Sequence, residues 1–244
     1  MKLSNIVLGL ILALAVVVGA AIIGNAYKYK YRVNETIEVT GLGKKDFQAD
    51  LIIWNADFQT NNFDLKAASQ QLSDDKRKVE EYLISQGVKK EEIVFSAVSI
   101  SKDFEYRYDN NGGSQRIFNG YSLLQSVEVK SKDLERIENV SREISNLISQ
   151  GIELNSSLPS YYFSGLEDLK LELISQATEN ARKRAENIAK ESNASLGELK
   201  QARLGIFQIT GQYSNEEFTY GGVFNTTSKD KTANITAKLE FKIK

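Results

Sequence analysis

The chain has 244 residues, with 31 Lys and Arg against 32 Asp and Glu. This balance of charge argues against a nucleic-acid-binding protein, because phosphate contacts need an excess of cations. It contains no Cys and no His, which excludes disulfides, thiol nucleophiles, histidine general bases and Cys or His metal sites. The catalytic side chains that remain for an enzyme are carboxylates, Lys and Tyr. This narrow choice favours a protein without catalysis, so we predict no catalytic residue, no cofactor and no metal.

The first 26 residues are predicted to form a membrane anchor. Ile6 to Ile23 is an uncharged run of 18 residues, close to the length that crosses the hydrocarbon core of a bilayer as a helix. A cleaved secretory signal is the alternative, with Gly24-Asn25-Ala26 as a weak cleavage site, but the run is longer than the usual signal core. Both alternatives place the main domain outside the cytoplasm. The membrane-facing positions that we predict are Ile6, Leu10, Leu14, Val18 and Ile22.

Residues 27–34 are predicted to be a short stalk, and 35–244 a single α+β domain. Alternation predicts a first strand over 36–40, ended by a turn at Gly41-Leu42-Gly43, and a second strand over 51–59. Apolar residues at three- and four-residue steps then predict a helix that begins at Asp64 and ends at Gly87.

The second half of the domain repeats this alternation of strands and helices. Strands are predicted over 93–104 and 117–130, around a turn at 109–113, and a helix over 131–151 capped by Ser131. A strand over 152–163, bent at Pro159, precedes a helix that starts at a capping box, Ser164 to Glu167, and runs to 192. Strands over 199–209 and 235–243 close the chain. The order ββαββαβαββ predicts antiparallel sheets with three main helices.

The two predicted helix ends share one sequence, Leu-Ile-Ser-Gln-Gly followed by Val or Ile, at 83–88 and 147–152. Shared helix-ending chemistry is the simpler explanation, and an internal duplication is the alternative.

Several short motifs, in order and spacing, resemble the SIMPL-domain family. The resemblance covers about residues 36–243 and is carried by Ile37 to Gly43, Asp50, Gly87 to Ile93 with Ser99-Ile100, Asn119-Gly120-Tyr121, Val127 to Val129 with Asp133-Leu134, the alanine-rich stretch Ala177 to Ala189, and Leu196-Gly197. The sequence departs from the family pattern where Ala49 replaces a proline and Asn193 a glycine.

The resemblance implies a bacterial envelope protein, secreted or anchored, with a β-rich α+β fold. Members of the family are linked to stress tolerance and surface immunogenicity, and some are reported to form ring- or channel-like homo-oligomers. No catalytic residues are established for the family, so none is assigned to this chain.

Two aromatic segments are the candidate subunit contacts. One flanks the 109–113 turn, and the other is the stretch of roughly 25 residues from Thr210 to Asn234, which is longer than ordinary loops and is therefore either disordered or functional. Tyr and Phe among Gly, Ser and Asn are typical of contact surfaces. The candidates are Tyr106, Tyr108, Phe118, Tyr213, Phe218, Tyr220 and Phe224.

Other motifs are better explained by structure than by chemistry. The glycines before Lys44 and Lys45 lack the full phosphate-loop spacing, so a turn is favoured. Asp46, Asp50 and Asp57 keep a carboxylate hydrolase open as a minor alternative, with Asp57 expected to face water. The basic cluster Arg182 to Arg184 with Lys190 lies among glutamates at helical spacing, which predicts a salt-bridged face, with a subunit contact as the alternative.

These observations predict a non-enzymatic, membrane-tethered protein that self-associates. The alternative is a monomeric extracytoplasmic module that binds a peptide, glycan or lipid, which predicts a concave pocket lined by the aromatic residues.

Overall fold

The structure is a computed structural model that describes residues 3–32, 35–108, 114–217 and 219–243. The first element is a helix, α1 (Leu3–Arg32), which includes most of the predicted stalk. Its 30 residues span about 45 Å at the usual helical rise.

The rest of the described chain is an antiparallel α+β fold, as the sequence predicts. In chain order its elements are β1 (Thr36–Gln48), β2 (Leu51–Asn62), α2 (Leu65–Ser85), β3 (Ile93–Phe95), β4 (Ser99–Tyr108), β5 (Ser114–Ser131), α3 (Leu134–Glu143), β6 (Glu153–Ser156), β7 (Ser160–Tyr162), α4 (Leu166–Glu191), β8 (Leu196–Leu204), β9 (Gln208–Gly211) and β10 (Asp230–Ile243). Short 3₁₀ segments, Lys90–Glu92 and Ile144–Gln150, complete it.

The chain divides into two compact units. Unit 1 comprises Met1–Lys45, Asp168–Gln208 and Asn234–Lys244, and unit 2 comprises Asp46–Glu167 and Ile209–Ala233. The sheet of unit 1 has the order β1-β10-β8. Its core is the alanine-rich side of α4 against Val39 of β1 and the buried face of β10.

Unit 2 contains the six-stranded sheet. The order is β3-β5-β2-β6, with β4 also paired to β5 and β7 to β2. Helices α2 and α3 cover one face of this sheet, where alternate β2 residues from Ile52 to Phe58 are buried. The Trp54 indole N–H donates to the Ser156 hydroxyl at 3.1 Å, so the largest buried ring also satisfies its polar atom.

Several predicted elements are divided more finely than the sequence indicated. The strand predicted over 93–104 breaks into β3 and β4, the one over 152–163 breaks around Pro159 into β6 and β7, and the one over 199–209 breaks into β8 and β9. The second predicted helix becomes 3₁₀ after Glu143. Within the predicted apolar stripes, Ile148 and Ile188 are exposed rather than inward.

The turn predicted at Gly41-Leu42-Gly43 is wrong, because β1 runs straight through it to Gln48. Both glycines lie on the strand face that α4 covers. A Cβ at Gly41 would strike the Ala177 carbonyl, and one at Gly43 the Leu173 carbonyl. These glycines therefore serve the close approach of helix and strand, not a left-handed turn.

Two of the three predicted helix starts need correction. Asp64 caps α2 as predicted, accepting from the Ala67 N–H at 2.8 Å. Asp133, rather than Ser131, caps α3, and the Ser131 hydroxyl instead accepts from the Asp133 N–H and donates to Glu92. Before α4, Ser164 directs its N–H and its hydroxyl to the Asp50 carboxylate instead of forming the predicted capping box.

The repeated Leu-Ile-Ser-Gln-Gly ends are structurally equivalent. Gly87 and Gly151 have φ of 83° and 82°, and their N–H groups donate to Ile84 and Ile148 at 2.9 and 3.0 Å. In each copy the leucine is buried, the following isoleucine is exposed and the serine hydroxyl donates three residues back. The repeated sequence therefore forms the same helix-ending geometry at both places.

Candidate functional site

The long β4–β5 hairpin carries the first candidate contact surface. A β-bulge lies within it, because Asp103 pairs with Gly120 while Phe104 pairs with Phe118, which leaves Asn119 unpaired. The Asp103 carboxylate accepts from the Phe104 N–H at 2.8 Å and from the Asn119 side chain at 2.6 Å. The motif Asn119-Gly120-Tyr121 thus lies inside β5, where it redirects the strand, rather than at a hairpin turn.

Four aromatic rings meet beside the bulge. The Phe118 ring centroid is 5.3 Å from that of Tyr121, 5.8 Å from that of Phe104 and 6.4 Å from that of Phe63, each in an edge-to-face arrangement. The Arg116 guanidinium lies over the Phe104 ring, 3.5 Å from its centroid. Edge-to-face pairs and cation–π contacts fix the rings in place.

This aromatic group continues into an exposed apolar face. Pairing places Ile100, Phe104 and Tyr106 on one side of β4, and Ser101, Asp103, Glu105 and Arg107 on the other. The apolar side is not fully covered, since Ile100 is 57% exposed, Tyr106 56% and Phe63 68%. We call Phe63, Ile100, Phe104, Tyr106 and Phe118 the hairpin surface.

The structure brings together only part of the predicted contact set. Phe118 is the centre of the hairpin surface and Tyr106 lies farther along β4, whereas the side chain of Tyr108 and the whole of Phe218 lie outside the described residues. Among the described residues, no ring-to-ring contact joins the hairpin surface to Tyr213, Tyr220 or Phe224.

Three members of the hairpin surface, Phe63, Ile100 and Phe104, are absent from the contact residues predicted from the sequence. Phe63 directly precedes the helix-capping Asp64, and Ile100 lies at the start of a strand whose even positions are largely apolar. That alternation within 99–108 is the signal that could have identified Ile100. The contact of Phe63 with Phe118 has no local signal, because 55 residues of sequence separate them.

The second candidate segment, 210–234, is ordered where the structure describes it. The Ile209 N–H donates to the Val223 carbonyl at 2.8 Å, and the Asn225 N–H to the Ile209 carbonyl at 2.9 Å. Tyr220 is fully exposed, Phe224 is half-exposed, and Tyr213 projects into solvent from a left-handed backbone with φ of 59°. The loop therefore presents aromatic side chains from a fixed backbone.

A buried lysine fastens this segment. The Lys231 ammonium donates to the Asn225 carbonyl at 2.5 Å, and Glu216 accepts from the Asn225 side chain and from the Gly211 N–H. Burial lowers the pKa of Lys231 to about 8, and the nearby Glu216 carboxylate opposes that shift. These hydrogen bonds hold the base of the loop against the start of β10.

The carboxylates considered for hydrolysis are all engaged with hydroxyl groups. Asp50 binds Ser164, Asp46 accepts from Thr232 at 2.5 Å, and Asp57 accepts from Ser126 at 2.6 Å. Asp57 is partly exposed and alternates with the buried residues Ala56 and Phe58 of β2. Across the described part of the chain, no group of three or more acidic side chains is arranged to hold a metal ion.

A cleft of about 780 Å³ lies in unit 2, between the end of β5 and the start of α3. Its charged lining includes Lys89, Glu92, Arg136 and Lys229, and none of the predicted aromatic residues that the structure describes lines it. Arg136 is paired with Asp133 at 2.8 Å, so cations and anions in the cleft largely compensate each other. The cleft is not the aromatic pocket that the binding-module alternative predicts.

The basic cluster on α4 has the predicted salt-bridged character. Arg182 pairs with Glu186 at 2.9 Å and Lys183 with Glu179 at 2.6 Å. Arg184 has a different partner, since its guanidinium donates to the Thr40 carbonyl of β1 at 2.9 Å.

Helix α1 has the length and composition of a membrane span. Its segment Gly9–Lys28 has a mean hydropathy of 2.3, and none of it is buried within the structure. Leu10, Leu14, Val18 and Ile22 are exposed, while the side chain of Ile6 lies outside the described residues. The same properties fit a signal anchor and a signal peptide.

Comparison with known proteins identifies one family. Residues 37–238 match the family model described as SIMPL, a protein of unknown function (DUF541). The match covers more than four-fifths of the chain and nearly all of the domain after α1. No curated protein matches the sequence.

Proposed function

This chain belongs to the SIMPL family, and on that premise we propose that it is a membrane-tethered envelope protein that works by self-association rather than by catalysis. Helix α1 anchors it, and the domain lies outside the cytoplasm, in the periplasm or at the cell surface. Its physiological setting is envelope stress tolerance, which rests on the family resemblance alone. If α1 is cleaved as a signal, the same domain is soluble in the periplasm.

The observation that carries the proposal is the hairpin surface. Exposed aromatic and aliphatic side chains cluster on one arm of unit 2, and contiguous exposed apolar surface marks interaction sites. Phe118 and Arg116 hold the rings rigidly, so little side-chain entropy is lost when a partner covers them. Tyr213, Tyr220 and Phe224 add a second exposed aromatic set on a fixed loop, which we assign to the same role.

The anchor strengthens such contacts. Tethering confines the copies to a plane and a common orientation, which raises their effective concentration. Modest lateral contacts then suffice for assembly.

The test is the native mass of the full-length protein in mild detergent, measured by light scattering. Wild type should form a discrete assembly of several copies. Replacing Ile100 and Tyr106 together by Ser should lower its mass, and replacing Tyr213 and Tyr220 by Ser should lower it as well. Leu158→Ser is the matched control, because Leu158 is an exposed apolar residue of unit 2 outside both sets.

A single-chain mass for wild type would overturn the proposal.

Deletion of the whole segment 210–234 is not a suitable test. That segment includes the buried residues Asn225, Lys231 and Thr232, so its loss would disrupt unit 2 itself.

A further inference from the structure

Unit 1 has one closed and one open sheet edge. Along β1, the Lys44 and Leu42 N–H groups donate to Gln176 and Asn180 of α4 at 2.7 and 3.2 Å, and the Thr40 carbonyl accepts from Arg184. Side chains of α4 thus satisfy this edge. At the opposite edge, β8 pairs only with β10 among the described strands.

A groove follows the open edge on the side of α4. It has a volume of about 350 Å³ and lies between Thr178 and Arg182 of α4 and the strands β8 and β10. Leu199 of β8 and Phe241 of β10 form part of its apolar floor.

Strand β8 is amphipathic along this edge. Leu199, Ala202 and Leu204 pair with buried residues of β10 and so face the side that α4 covers, yet Leu199 and Leu204 are half-exposed. The opposite side is charged. Glu198 pairs with Lys242 at 3.2 Å and Lys200 with Glu240 at 3.3 Å.

Strand β4 is the matching open edge of unit 2. It has 10 residues against 9 in β8, and among the described strands it pairs only with β5. It also divides into an apolar and a polar side, as β8 does. A strand that adds to an open sheet edge must match the edge strand in length. Its apolar side must lie on the apolar side of the edge strand, and its charges must be opposite to those it faces.

We infer that β4 of a second copy of this chain adds to the β8 edge as an antiparallel strand, with its apolar side in the groove beside α4. The inference rests on the self-association proposed above and assigns its contact. Because different surfaces of the two copies meet, the contact is heterologous and can propagate from copy to copy.

One register satisfies the apolar side. Tyr106 lies opposite Leu199, and Phe104 lies opposite the small side chain of Ala202. Lys102 then lies opposite Leu204, where its aliphatic stem can cover the leucine while its ammonium reaches water. The irregularity of β8 between Leu199 and Gln201 is included in this register.

The same register pairs opposite charges on the other side. Arg107 lies opposite Glu198, Glu105 opposite Lys200 and Asp103 opposite Arg203, with no like-charge pair. The last pairing is informative, because Arg203 forms no ion pair among the described residues, whereas Lys238, directly opposite it within its own sheet, pairs with Glu38 at 2.8 Å. A carboxylate from a second copy would give Arg203 a partner of its own.

Charge reversal followed by rescue tests the register in the full-length protein. Glu105→Lys and Lys200→Glu should each weaken association roughly tenfold in light scattering, because each places like charges opposite each other. The double variant should recover wild-type mass. Lys183→Glu is the control, because Lys183 lies on the exposed side of α4 and pairs with Glu179 of the same helix at 2.6 Å.

Cysteine cross-linking gives a direct readout, since the chain has no Cys of its own. A chain with Tyr106→Cys and Leu199→Cys should give a ladder of covalent oligomers on oxidation. A chain with Tyr106→Cys and Leu171→Cys should not, because Leu171 is an exposed residue of α4 outside the groove.

The outcomes separate this inference from the proposed function. A monomeric wild type overturns both. A wild-type assembly that survives both charge reversals and gives no ladder overturns only the β4–β8 contact. A native mass of one chain plus a small peptide would show that a foreign peptide occupies the groove. That result would overturn the inference that a second copy occupies it.

Discussion

At the scale of single residues, Lys231 shows most clearly how burial alters chemistry. The residue is only 2% exposed, its ammonium donates to the Asn225 carbonyl, and burial lowers its pKa to about 8. Since the unfolded chain keeps an ordinary pKa near 10.5, the unfolded state binds more protons between these two values. Stability therefore rises with pH in that window.

The first prediction follows from that sign. The free energy of unfolding should rise by about 2 kcal/mol between about pH 7.5 and about pH 9.5. Urea denaturation followed by circular dichroism measures it. Lys231→Met keeps the aliphatic stem but has no proton to lose, so most of the rise should disappear. An equal rise in that variant would show that another group is responsible.

At the scale of elements, the packing of α4 on β1 depends on matched repeat lengths. Four residues of helix advance about 6 Å and two residues of strand advance almost 7 Å. Gln176, Asn180 and Arg184 therefore meet alternate backbone groups of β1 between Lys44 and Thr40. The two glycines of β1 allow this closeness, because they place no side chain between strand and helix.

The second prediction concerns that closeness. Gly41→Ala should destabilise the protein by about 2 kcal/mol or more, because its methyl group would lie 2.7 Å from the Ala181 Cβ and against the Ala177 carbonyl. Gly221→Ala is the control, since no atom lies within 4 Å of the position of its Cβ. The measurement is the urea midpoint, and equal midpoints for the two variants would contradict the packing argument.

The helix ends show how much local sequence could predict. Asp64 as a cap, and Gly87 and Gly151 as left-handed ends, were predicted correctly because caps and terminal glycines act within a few residues. The starts of α3 and α4 were assigned to the wrong residues. Ser131 and Ser164 have distant partners, Glu92 and Asp50, that no local pattern contains.

At the scale of the whole molecule, the anchor and the domain make separate contributions. No residue of Gly9–Lys28 is buried in the structure, so this segment adds no buried side chain to the core of the domain. Its expected contribution is to association, through the confinement of copies to a membrane plane.

The third prediction separates those contributions. Removal of residues 1–34 should leave the thermal midpoint of the domain unchanged within about 2 °C, because none of Gly9–Lys28 is buried in the structure. The truncated chain should dissociate to monomers at low micromolar concentration, whereas the full-length chain in vesicles should remain associated. Sedimentation velocity measures the dissociation of the truncated chain, and cross-linking in vesicles measures the association of the full-length chain. An assembly of truncated chains that persists on strong dilution would contradict this account of the anchor.

The apolar helix, the family, the order of most strands and helices, and the glycine ends of the helices could all be predicted from the sequence. Each of these depends on periodicity, or on residues close together in the chain. Three-dimensional packing was needed to show that Gly41 and Gly43 serve the approach of α4, that Phe63 contacts Phe118, and that the β1 edge is closed while the β8 edge is open. These properties depend on residues that lie far apart in the chain, and such pairings leave no mark in a local pattern.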